Sequence, residues 1–166
     1  MAHVVAFVNE YAGPPREAAG EQQTPYPDPA GLLAWPDGLP LPAESDLVKA
    51  ADAVFPVFAA ARDGRALAEL NALLRVVRPL PVAVPGGLRW TVGDPADLLP
   101  AALATCLLAW LMTHEQARLG ICHGARCVDV YIDSSPAGQR RFCSATCLNR
   151  HKVAAYRRRA SARKGG

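Results

Sequence analysis

The chain has 166 residues, 51% hydrophobic and 20% charged, a make-up that suits a globular unit with its own core and excludes a disordered or fibrous chain. The net charge of +3 hides an uneven distribution: residues 1–139 carry nine Lys/Arg against fifteen Asp/Glu, and residues 140–166 carry nine Lys/Arg and no acid. An acidic body with a basic tail points to a polyanionic partner, and the opening MAHVVAFVNEY lacks the basic and long apolar regions of a secretion signal.

Val4–Tyr11 is apolar and β-branched, and its length leaves strand and helix both open. The Pro- and Gly-rich run from Gly13 to Pro29 reads as a long mobile loop, and Trp35 after it as an anchor into the core. Ser45 is a candidate cap for a helix toward Arg62, which Pro56 should kink or split. Asp63 is a candidate cap for the next helix, where Leu67, Leu70, Leu74 and Val77 form one apolar stripe. LPVAV and LRWTVG flank PGG, so a β-hairpin is expected near residues 80–93.

The longest helix should follow, with Asp94 as its cap, Pro95 in its first turn and Gly120 at its end. Its fifteen-residue apolar stretch, Leu98 to Met112, is short for a membrane span and fits a central buried helix. Cys106 within it reads as a small buried hydrophobe.

The other four cysteines, Cys122, Cys127, Cys143 and Cys147, fall as C-x4-C, fifteen residues, then C-x3-C. Tetrahedral Zn²⁺ takes four soft ligands as two close pairs across a loop, and this spacing meets that requirement. Cys122 and Cys127 bracket a Gly-containing turn, while Cys143 and Cys147 share a face at the start of a helix. Between the pairs, Val128, Val130 and Ile132 alternate with Asp129, Tyr131 and Asp133 as in a half-exposed strand, SSPAG makes a turn, and QRRF returns as the second strand. Knuckle, hairpin and helix in this order are the parts of a treble-clef-like finger holding one structural zinc. A site closed by four thiolates leaves no position for an activated water, so Asp129, Asp133, His123 and His151 are poor candidates for catalysis and the chain is expected not to be an enzyme.

The segment RRFCSATCLNRHKVAAYRRR, together with CHGARC and YIDSSPAGQRRFC, resembles the CGNR zinc-finger family, and AFVNEY and LLAWPDGL are similar to the opening of its members. The resemblance implies a helical ABATE-like domain over 1–119 and a CGNR-type finger over 120–166, in a bacterial transcription regulator. The naming motif departs at one place: Cys147-Leu148-Asn149-Arg150 has leucine where the family has glycine. Leucine favours the helix, and any close backbone contact that glycine permits is in question.

The basic helix supplies the nucleic-acid candidates. Asn149 and Arg150 have the two-pronged side chains that read adenine and guanine, Arg157, Arg158 and Arg159 suit phosphate, and Arg140, Arg141 and Lys152 add charge. Arg140, Arg141 and Arg150 also lie close enough in sequence to balance the metal centre, and Arg150 has Asp129 and Asp133 as alternative partners. Val153 and Tyr156 are expected to pack this helix on the hairpin. The resulting expectation is a mainly α fold with a small β-hairpin, a cytoplasmic, nucleoid-associated protein that binds double-stranded DNA and no membrane. Its N-terminal domain senses a small-molecule ligand or mediates homodimer assembly. RNA binding, or a protein-interaction role with a purely structural zinc, is the alternative.

Overall fold

The computed structural model describes residues 1–33 and 40–164, with side chains through 160. Trp35 lies outside the described residues. Within them the chain forms six α-helices and two antiparallel two-stranded hairpins.

Val4, Phe7, Val8 and Tyr11 recur at helical spacing, and their burial settles the opening segment as helix α1 (Ala2–Tyr11). The expected loop over 13–29 is in its first part a second helix, α2 (Gly13–Ala19), with proline in its first turn and Gly20 in the left-handed region after it. Proline there gives up only an amide with no helical acceptor, so a Pro-rich stretch begins a helix as readily as it makes a loop.

Helix α3 (Glu44–Ala59) runs through Pro56 without splitting; Val54, Val57 and Phe58 are fully buried around it and outweigh one lost helical bond. Ser45 lies inside this helix and makes no cap, and the preceding Ala43 makes none with its side chain. Nor does Asp63 cap α4 (Ala66–Val77); it ends a 3-10 turn and pairs with Arg65 at 3.3 Å. The buried face of α4 is Ala66, Leu70, Leu73 and Val77, so Leu73 replaces the exposed Leu67 in the expected stripe.

The first hairpin forms where expected, as β1 (Leu80–Val84) and β2 (Gly87–Thr91). Asp94 caps a 3-10 turn by accepting from Ala96 N–H at 2.9 Å, and α5 (Leu98–Leu111) follows. It stops nine residues before Gly120, and at 14 residues against 16 in α3 it is not the longest helix. One face of α5 is buried through Leu99, Leu103, Ala104 and Leu107, and the other carries Cys106, which is exposed. An all-apolar sequence thus does not mean a helix buried all round. No helix among the described residues is long and apolar enough to cross a membrane.

Gly120 instead lies in β3 (Leu119–Ile121), which pairs with β4 (Val130–Ile132). A Cβ at Gly120 would lie 2.8 Å from the Tyr131 hydroxyl oxygen, so glycine is needed for Tyr131 to fold across the hairpin. Leu119 and Val130 join Phe7, Val8, Val57, Phe58 and Leu107 in one core, which seats the second hairpin against α1 and α3. Helix α6 (Ala145–Lys164) completes the chain.

Candidate metal centre

Two elements present the cysteines. Cys122 leaves β3 directly, and its N–H donates to Asp129 O at 2.8 Å, prolonging the β3–β4 ladder by one step. The chain then turns through Gly124, whose carbonyl accepts from Cys127 N–H at 3.2 Å, and returns as β4. The first ligand pair therefore sits on the connection of the hairpin. QRRF is no strand: the partner of β4 lies upstream, at 119–121. Tyr131 and Asp133 are buried along with Val130, so the expected alternation fails because this short hairpin is covered on both faces.

Residues 133–142 form a loop that brings the second pair back. The buried Asp133 carboxylate accepts from Ser135 N–H (2.9 Å), Ser135 O–H (2.5 Å) and Arg140 N–H (2.7 Å). Arg140 then braces the loop, with all three guanidinium nitrogens on main-chain carbonyls: Phe142 O at 2.9 Å, Ile132 O at 3.0 Å and Cys143 O. Tyr131 O–H donates to Arg140 O at 2.6 Å. Cys143 ends this loop just ahead of α6, and the Ser144 hydroxyl accepts from Cys147 N–H at 3.3 Å, capping the helix that carries Cys147.

The four Sγ atoms lie within 4.8 Å of one another, with Cys143 Sγ 3.6 Å from both Cys127 Sγ and Cys147 Sγ. Four sulfurs placed about 2.3 Å from a zinc ion have tetrahedral edges of about 3.8 Å, so this spacing fits one zinc. Cys122 Sγ accepts from Gly124 N–H and Cys143 N–H, each at 3.3 Å, as a thiolate ligand requires. Burial pushes the Cys127 thiol up to about 12, and burial followed by contact with Asp129 raises Cys143 as well. Cys147, against its burial, is held low by hydrogen bonds from Cys143 and the Ser144 hydroxyl. Thiols packed so closely ionise together only around a cation, and zinc supplies that cation and the tetrahedral cross-link. Cys122, Cys127 and Cys147 are buried and Cys143 is half-buried.

Both histidines stay outside the cluster. His123 donates its N–H to Arg141 O at 3.0 Å and its ring lies 3.4 Å from Arg62; the His151 ring packs on Phe142 with centroids 5.1 Å apart. The carboxylates considered for Arg150 face elsewhere: Asp129 lies 3.3 Å from Cys143 Sγ, and Asp133 is occupied by the loop. Arg140 is engaged within the finger, whereas the side chains of Arg141, Asn149, Arg150, Lys152, Arg157, Arg158 and Arg159 are exposed. Thr146, Asn149, Arg150, Val153, Arg157 and Arg158 line one shallow groove along α6. Val153 and Tyr156 are exposed and do not pack on the hairpin; α6 meets the finger through its first turn and through His151 on Phe142. Leu148, in place of the family glycine, is half-buried and lines a depression with Phe142, Arg140 and Arg141.

One positioning residue carried no sequence signal. Asn9 on α1 accepts from Val130 N–H at 2.6 Å and donates to Val130 O at 3.1 Å, capping the free edge of β4 from 121 residues away. Only the similarity of AFVNEY to the family opening touched it.

No curated protein matches the chain. Residues 118–160 match the family model of the CGNR zinc finger, and this span contains all four clustered cysteines, the bracing loop and most of α6. With the metal geometry in agreement, the C-terminal part of this chain is a CGNR zinc finger.

Proposed function

We propose that the protein is a DNA-binding transcription regulator in which a structural zinc holds a basic helix ready for the duplex. One observation carries this reading: α6 is fixed near its start beside the metal centre and exposes Arg150, Lys152, Arg157, Arg158 and Arg159, none of which pairs with a carboxylate among the described residues. A rigid 20-residue helix spans about 30 Å, enough to follow a groove across several phosphates. Asn149 and Arg150, near the anchored end, take the base-reading role, and Lys152, Arg157, Arg158 and Arg159 the phosphate role. Arg141 adds charge beside the first turn, while Arg140 keeps the loop together. The ABATE-like helical part serves sensing or assembly, and four thiolate ligands suit a structural, non-catalytic zinc.

Exposed Tyr156 is the observation that favours RNA, since an aromatic ring on a basic helix stacks on unpaired bases. Binding of the zinc-loaded protein to random duplex DNA across a salt series tests the primary reading. Neutralising Arg157, Arg158 and Arg159 makes the log–log slope shallower by about 2.7, at about 0.9 per phosphate contact. Absence of binding at low salt overturns the proposal, and preferential competition by single-stranded RNA transfers it to the second reading.

A further inference from the structure

Helix α6 exposes two large apolar side chains, Val153 (49%) and Tyr156 (69%). Helix preference does not account for Val153, because a β-branched residue is a weaker helix former than the alanines beside it. Packing does not account for it either, since half of its surface is open.

The position of Val153 around the helix is informative. The finger takes the side of α6 that carries Cys147, the half-buried Leu148 and the His151 ring on Phe142. At about 100° of rotation per residue, Asn149, Val153 and Tyr156 fall on the opposite side and form one uncharged strip. Arg150, Arg157 and Arg158 lie to one side of the strip and Lys152 and Arg159 to the other, all of them exposed. Thr146, Asn149 and Val153 share the shallow groove of α6 with Arg150 and Arg157.

An uncharged strip between two rows of cations is complementary to the major groove, where base edges run between two phosphate backbones. A helix about 10–12 Å across fills a groove about 12 Å wide, so its flanks reach phosphate while the strip meets the bases. The apolar group that the major groove presents there is the thymine C5-methyl. We infer that Val153 is a specificity-determining residue that packs on the C5-methyl of a thymine, next to the adenine contacted by Asn149. The two side chains are about 6 Å apart along the axis, which places the two bases within about two steps of each other. This inference rests on the DNA-binding reading and adds to it the base class, A·T pairs read from the major groove.

Two alternating A·T duplexes test it, one with thymine and one with deoxyuracil throughout. The exchange removes the C5-methyl and keeps the hydrogen-bonding groups of the major groove. The zinc-loaded full chain is titrated with each duplex across a salt series, beside Val153→Ser, whose helix propensity is close to that of valine. The wild type binds the thymine duplex about threefold or more tightly, the effect of burying one methyl. Val153→Ser binds both duplexes alike, with an unchanged salt slope because the phosphate contacts remain. Equal or reversed affinity of the wild type for the two duplexes overturns the inference and leaves DNA binding standing, as does a thymine preference that survives Val153→Ser. Absence of binding to either duplex at low salt overturns the DNA-binding reading and the inference with it.

Discussion

Asn9 and Val130 are 121 residues apart and exchange two hydrogen bonds, so a single amide side chain fixes the finger's hairpin to α1. Asn9→Ala leaves the Val130 main-chain groups without partners, and calorimetry should show a loss of about 1–3 kcal/mol with zinc content unchanged. Gly120→Ala forces the buried Tyr131 ring aside and breaks its hydroxyl bond to Arg140 O. A cost of about 1–3 kcal/mol is expected in chemical denaturation, together with faster exchange at the Arg140 amide. Asp133 adds a pH signature. Burial alone would raise its carboxyl, yet the Ser135 hydroxyl and the N–H groups of Arg140 and Ser135 hold it below its ordinary value of 3.8. A depressed carboxyl stabilises the fold above that value, and the contribution fades as pH falls through the folded-state pKa. Asp133→Asn is therefore destabilising at neutral pH, and its gap from the wild type narrows in thermal melts below about pH 4.

At the scale of elements, α6 stands apart from the others. It is strongly polar and rich in cations, and it meets the finger near its start, through Cys147, the half-buried Leu148 and the His151 ring on Phe142. Without zinc, like charges along the helix oppose it and little packing holds it. Cys143→Ser should abolish stoichiometric zinc binding and reduce far-UV helicity by the share of α6. The β3–β4 hairpin should stay folded, because Leu119 and Val130 belong to the main core. Retention of one zinc with unchanged affinity would contradict the ligand set. The elements also show where sequence speaks plainly. The cysteine spacing and the PGG hairpin are local chemistry, and each appears where its residues stand, whereas Asp94 and Pro95 start a 3-10 turn that leads into α5 rather than α5 itself. The strand partner of β4 and the helix at Gly13 were hidden because tertiary packing, not local preference, decides them. Asn9 was hidden for the same reason: its role exists only once α1 and β4 are side by side.

The whole molecule separates its charge along its length, with an acidic body of helices and a finger that ends in a basic helix whose cations pair with no carboxylate among the described residues. This arrangement makes the body a poor surface for a polyanion and leaves α6 to approach it. The direct measurement is amide hydrogen exchange of the zinc-loaded chain with and without duplex DNA at low salt. The account predicts added protection in α6, strongest from Thr146 to Arg158, with α2 to α5 unchanged. Unchanged exchange in α6 at saturating DNA, or protection confined to the helical body, would contradict it.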